Sequence, residues 1–258
     1  MKLKDFTALM EQVAPGELAL GFDNPGLLIE PERDEIEKVL IALDATPQIA
    51  KEAAEWGAQL VLTHHPLFFS PVKHILKDDP ETAAAWLLLR NGIGHFAAHT
   101  NLDAAEGGVN DCLMAALGVT VTGTLGEEGI CRIGALPKET TLLDFAKLCG
   151  KALCTHPAFT GDPSQKVKTV ACCSGAGASD MTLAKEAGAD VFLTGEIKHH
   201  ETLMADVLGI PVMVLGHYET ERVVLEPLKE RLEKACNKAE NAVQYRVALT
   251  EAGALTRI

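Results

Sequence analysis

The sequence predicts an α/β protein made of two similar α/β halves (an internal duplication), each a mainly parallel or mixed sheet covered by helices. Three observations lead there. A strand, helix, strand rhythm runs through residues 38–63 and returns after residue 165, the pattern of crossover-connected parallel strands. The second copy echoes the first: Ala50-Lys51-Glu52-Ala53 aligns with Ala184-Lys185-Glu186-Ala187, and Gly57-Ala58-Gln59-Leu60-Val61-Leu62-Thr63 with Gly188-Ala189-Asp190-Val191-Phe192-Leu193-Thr194. Further on, residues 93–103 and 210–221 each read as a short apolar strand leading into His-x-x-x-acid.

The elements follow in order. Phe6, Leu9, Met10 and Val13 recur at helical spacing, and the charges between them leave no unbroken apolar stretch of the kind a signal peptide needs. KVLIALDAT (38–46) is a β-branched and leucine-rich strand stopped by Pro47; residues 48–56 have helical composition and end at Gly57; AQLVLT (58–63) is a second strand. Residues 130–136 read as a strand and 142–153 as a helix, among glycines and prolines that blur a boundary set here at 125/126, giving halves 1–125 and 126–258. In the second half KVKTVACCSG is a strand, 180–187 a helix, ADVFLT a strand, and the apolar spacing over 218–235 predicts a helix.

Composition narrows the function. With 47% apolar and 23% charged residues the chain can bury a sizeable core, and 23 basic against 36 acidic residues give a charge of −13. No basic run exceeds two residues, which argues against general nucleic-acid binding. The most apolar segment, 83–89, is far short of the ~20 residues that span a bilayer, so no membrane role is expected. Seven cysteines without a C-x-x-C suit neither a disulfide framework nor a thiolate zinc knuckle, and the expected compartment is a reducing cytoplasm.

Three segments carry the candidate chemistry: Thr63-His64-His65-Pro66, His99-Thr100-Asn101-Leu102-Asp103 and His217-Tyr218-Glu219-Thr220-Glu221. Each follows a predicted strand, where ligands gather in parallel α/β sheets. Imidazole and carboxylate suit hard to borderline divalent metals. Pro66 holds His65 extended, so the two adjacent imidazoles point to different positions, which favours two metals over one. His217 and Glu221, four apart on a helix, share a face and could chelate or bridge. Counting Asp103 and Glu221 as the anionic ligands, two divalent cations keep two uncompensated charges for a hydroxide and an anionic substrate. Each segment also has a plainer explanation: a hydrogen-bonded strand end, a turn around Asn101, and a surface ion pair. His99 is the repeat counterpart of His217 and is assigned either to supporting the ligands or to moving protons.

Two more segments border this core. Ser174–Ser179 joins a strand to a helix and is either a phosphate cradle or a glycine-rich turn. In Thr194-Gly195-Glu196-Ile197-Lys198-His199-His200, Glu196 could be a general base and Lys198 or His199 could hold an anion, unless the segment is a solvated loop.

With Phe22-Asp23-Asn24-Pro25-Gly26-Leu27, Thr194-Gly195-Glu196 and Gly216 before His217, these motifs span nearly the whole chain and make it resemble the Nif-three-like family, whose bacterial members are commonly labelled GTP cyclohydrolase 1 type 2 homologues. The resemblance implies metal ligands at His64, His65, Asp103, His217 and Glu221, with Glu221 bridging, between two similar halves of a ring-shaped homohexamer. Some relatives carry an extra domain between the halves, for which 258 residues leave no room. The expected cofactors are two divalent ions, among Zn, Fe, Mn and Ni.

Two functions compete on these residues. One is a metal-dependent hydrolase of a small anionic molecule or nucleotide, with Glu196 and His99 as the catalytic proton carriers; ring opening at C8 of GTP, phosphoester hydrolysis and amide hydrolysis all suit it. The other is a non-catalytic metal-binding scaffold, metal-delivery protein or regulatory interaction protein.

Overall fold

The computed structural model describes residues 1–236 and 243–255. In chain order α1 (Leu3–Val13), β1 (Gly26–Ile29), β2 (Lys38–Ala42), α2 (Pro47–Trp56), β3 (Leu60–Thr63), α3 (Ala83–Arg90), β4 (Gly94–Ala97) and α4 (Thr100–Ala104) come first. Next are α5 (Val109–Ala116), β5 (Thr120–Leu125), β6 (Cys131–Thr141), α6 (Leu142–Leu153), β7 (Ala158–Phe159), β8 (Lys166–Cys173) and α7 (Met181–Glu186). They are followed by β9 (Val191–Thr194), α8 (His199–Leu208), β10 (Val212–Val214), α9 (His217–Glu221), α10 (Leu225–Cys236) and β11 (Gln244–Val247).

The chain divides into two compact units: Met1–Ala105 with Leu225–Ala252, and Glu106–Val224 with the C-terminal residues from Gly253. The first join between the units lies at 105/106, and residues 125/126, the boundary expected from sequence, lie in the second unit. The glycines around that position turn a hairpin, since β5 pairs antiparallel with β6 and Gly129 N–H bonds to Gly126 O. The single helix expected over 218–235 is interrupted by a 3-10 turn, Arg222–Val224, and α10 belongs to the first unit.

In the first unit the strand order is β1-β4-β3-β2-β11, with β4, β3, β2 and β11 parallel and β1 antiparallel at the edge. Val39 to Ala42 and all of β3 are buried, as their unbroken apolar runs require of strands covered on both faces. On one face Leu40, Ala42 and Val61 pack with Ile49, Ala50 and Ala53 of α2 and with Ala85 and Leu88 of α3. Phe6 of α1 meets Phe96 of β4 edge to face, with ring centroids 5.8 Å apart. Helix α2 starts where sequence predicts, with Thr46 Oγ1 accepting from Ile49 N–H and Pro47 in the first turn, and ends at Gly57 in the left-handed region.

In the second unit the order is β5-β6-β8-β9-β10-β7, with β8, β9 and β10 parallel and the other three strands antiparallel to their neighbours. Residues of β8 alternate between two cores. Val170 and Cys172 face Leu113, Met114, Leu142 and Phe145, while Ala171 and Cys173 face Met181, Ala184, Phe192 and Ala205. Both sheets are thus mixed. Among the described residues no helix is long and apolar enough to cross a membrane.

Candidate metal centre

In the first unit β3 lies between the parallel strands β2 and β4, and the two histidines at its exit turn toward these two neighbours. His64 Nδ1 lies 2.9 Å from the carbonyl oxygen of Ala98, just beyond β4. His65 Nδ1 lies 2.8 Å from Asp44 Oδ1, just beyond β2. His99 Nδ1 lies 2.8 Å from Asp23 Oδ1. Each Nδ1 therefore donates to an oxygen acceptor, and the neutral tautomer so fixed carries its lone pair on Nε2, as metal-ligating histidines do. The ring centroids are 4.9 to 5.5 Å apart, and one donor atom from each of the three rings lies within 4.8 Å of the other two. Pro66 does not keep the imidazoles of His64 and His65 apart: their Nδ1 atoms diverge to different strands while their rings converge.

Asp103 joins this group through α4. Its amide donates to His99 O at 3.0 Å and Asn101 Oδ1 caps His99 N–H, so the turn that Asn101 makes brings Asp103 Oδ1 to 3.7 Å from His64 Nε2. Beneath them Thr63 Oγ1 donates to His65 O and accepts from His95 Nε2 at 2.7 Å. Burial pushes the His95 imidazole down to about 4, so it stays neutral in this role. Asp23 is displaced in the other sense: burial raises its carboxyl, but hydrogen bonds from His99 and Thr100 outweigh that and hold it below the usual carboxylate range.

The second unit gathers the remaining residues. His217 opens α9 after β10, and its Nε2 is 3.2 Å from Oε1 of the buried Glu221 one turn on. Glu196, beyond the exit of β9, is exposed, with Oε2 3.6 Å from His217 Nδ1. Two glycines make the cradle. A Cβ on Gly175 would lie 2.2 Å from Glu221 Oε1 and 3.2 Å from His217 Nε2; one on Gly195 would meet Gly175 O at 2.6 Å and His217 Cα at 2.7 Å. Thr220 Oγ1 accepts from Gly175 N–H and donates back within α9. Inside Ser174–Ser179, Ser174 N–H goes to Asn110 Oδ1 and Gly175 N–H to Thr220, so these two amides do not face a phosphate. Lys198 and His199 are exposed at the start of α8, and Lys198 lines a cleft of about 280 Å³ together with Ala176, Ala178, Glu196 and Glu201.

The donor set fits divalent metals: imidazoles with fixed tautomers beside a carboxylate in one unit, and an imidazole with a buried carboxylate in the other. Asp23 and Asp44 hold two of these rings, and neither was singled out for a role by sequence. Asp23 lies in the Phe22-Asp23-Asn24-Pro25 motif and Asp44 at a strand exit, which are the only signals that mark them.

The chain has clear relatives. The family model described as Duf34/NIF3 (NGG1p interacting factor 3) matches residues 1–252. A Clostridium perfringens protein named GTP cyclohydrolase 1 type 2 homolog is 36% identical over 244 residues, spanning 90% of this chain and 93% of its own. NIF3-like protein 1 of Drosophila melanogaster is 32% identical over 251 residues, spanning 92% of this chain and 84% of its own. The crystal structure of Staphylococcus aureus hypothetical protein SA1388 superposes with a TM-score of 0.93 at 27% identity, covering 100% of this chain and 99% of that one. On the family match, the two relatives and the shared fold, this chain belongs to the Duf34/NIF3 family.

Proposed function

We propose that this protein is a metal-dependent hydrolase of a small anionic substrate, with His64, His65, Asp103, His217 and Glu221 as its ligands for two divalent ions. The observation that carries this reading is the geometry of His64, His65 and Asp103: both rings have Nδ1 held by an oxygen, which puts the lone pair on Nε2, and Asp103 Oδ1 lies 3.7 Å from His64 Nε2. Such ions, when bound, supply Lewis acidity at a substrate oxygen. Asp103 and Glu221 bring two negative charges against four positive ones, which favours an anionic substrate. The name GTP cyclohydrolase 1 type 2 homolog on relatives points to the nucleotide class.

The chain's own groups have distinct tasks. Asp23 fixes the Nδ1 proton of His99, which leaves His99 Nε2 to accept and return a proton. Glu196, in the cleft, takes up a proton at a carboxylate oxygen, Lys198 offers positive charge to a phosphate there, and the neighbouring His199 offers a ring N–H. Ancestral duplication also fits: β2, β3, β4 and β8, β9, β10 are each three parallel strands in sequence order, with site residues beyond the last two.

A screen of metal-loaded protein against nucleotides and phosphoesters tests the proposal. We expect turnover that falls by a hundredfold or more, on the order of 3 kcal/mol, in both Asp103→Ala and Glu221→Ala. No metal-dependent turnover in any class would leave a non-catalytic metal-binding protein, and activity surviving loss of both carboxylates would remove the metals from the chemistry.

A further inference from the structure

The second unit holds another group of metal-ligating atoms that the proposed hydrolase does not use. Cys131 begins β6 and Cys173 ends β8, and the antiparallel ladder that pairs Arg132 with Cys172 brings Cys131 opposite Cys173 one step further on. Both thiols point into the core containing Ala171, Ala178, Met181 and Phe192, away from Cys172 on the other face. Asp180 ends the 3-10 turn Gly177–Asp180 that follows β8. One donor atom from each of Cys131, Cys173 and Asp180 lies within 4.8 Å of the other two, and Cys131 Sγ is 3.4 Å from Asp180 Oδ2. A tetrahedral ion with a metal–sulfur bond of about 2.3 Å and a metal–oxygen bond of about 2.0 Å has a sulfur–oxygen edge of about 3.5 Å. The spacing between Cys131 and Asp180 is close to that edge.

The turn is shaped around the thiols. A Cβ on Gly177 would lie 2.5 Å from Cys173 Sγ and 2.4 Å from Cys173 Cβ, so only glycine lets the chain close over Cys173 and bring Asp180 back. The two cysteines are 2% and 5% exposed while Asp180 is partly exposed, which leaves entry from the aspartate side. Here the Cys131 thiol donates to Asp180 Oδ2; with both thiols deprotonated, the three anionic donors would repel one another in apolar surroundings unless a cation lay between them.

We propose that Cys131, Cys173 and Asp180 bind one thiophilic divalent cation, of the class of Zn²⁺, with water in the fourth position. Binding displaces the protons of both thiols, so two protons leave as one cation enters. The cation ties the first residue of β6 to both ends of the turn 174–179. Gly175 within that turn forms the wall against Glu221, so this site steadies the candidate metal centre without sharing a ligand with it.

Titration of the reduced, full-length protein with Co²⁺ tests this, because a thiolate-to-cobalt charge-transfer band can come only from cysteine and the other five candidate ligands are histidine and carboxylate. We expect the band to saturate at one Co²⁺ per chain, to vanish in Cys131→Ser and in Cys173→Ser, and to persist in Asp103→Ala, Glu221→Ala and Cys154→Ser. Should the serine variants fail to fold, X-ray absorption of the Zn²⁺-loaded wild-type protein is expected to show sulfur scatterers at about 2.3 Å. No thiolate band with wild-type protein, a band that survives both serine variants, or a zinc shell of nitrogen and oxygen alone would overturn the proposal.

Discussion

At Gly175 the backbone runs so near Glu221 that even a methyl group would sit 2.2 Å from Oε1, and its φ of +57° is one that side chains rarely adopt. Gly175→Ala is therefore expected to cost about 1–3 kcal/mol of stability and to reduce bound metal as Glu221 is pushed aside. Thermal unfolding and elemental analysis check it; full metal content in a stable variant would show that this glycine does not shape the site. Sequence marked the histidines and acids because their side-chain chemistry is visible wherever they occur. Asp23 and Asp44 escaped because their role lies in partners 76 and 21 residues away, and Gly175 because a turn glycine and a close-approach glycine look alike.

Among the elements, α2 shows how a surface helix is tied to the end of the first unit. Glu52 Oε1 accepts from Arg246 and from Leu249 N–H at 2.8 Å each, and Oε2 accepts from Thr250 N–H and Oγ1. Burial raises the Glu52 carboxyl, yet these hydrogen bonds and the Arg246 charge outweigh it and set the pKa below the ordinary value. A depressed folded-state pKa adds stability that is complete above the unfolded value of about 4.3 and is lost as pH falls through the folded one. Glu52→Gln is thus expected to cost about 2 kcal/mol at pH 7, with the gap from wild type closing below about pH 4. Denaturant unfolding across that range measures it, and a gap independent of pH would contradict it. The parallel strands β2, β3, β4, β8, β9 and β10 were legible as apolar runs. The antiparallel edges β1, β5 and β7 were not, because short strands with exposed positions carry no such pattern. The break in the predicted 218–235 helix was hidden for a different reason: apolar spacing continues through residues that pack in two different units.

At the scale of the molecule, two mixed sheets each carry candidate ligands beyond the exits of their parallel strands, as open α/β folds do. The two mixed α/β sheets were legible in the strand, helix, strand rhythm, but the return of α10 and β11 to the first unit was not, since sequence order alone does not reveal which sheet edge a terminal strand joins. In the proposed hydrolase five histidine and carboxylate donors serve a pair of cations. Mn²⁺, which prefers nitrogen and oxygen donors to thiolates, counts them most directly by equilibrium dialysis and elemental analysis. Two Mn²⁺ per wild-type chain, falling to one or fewer when Asp103→Asn and Glu221→Gln are combined, is the predicted result. Stoichiometry unchanged by the double substitution, or no Mn²⁺ retained by the folded wild-type protein, would contradict it.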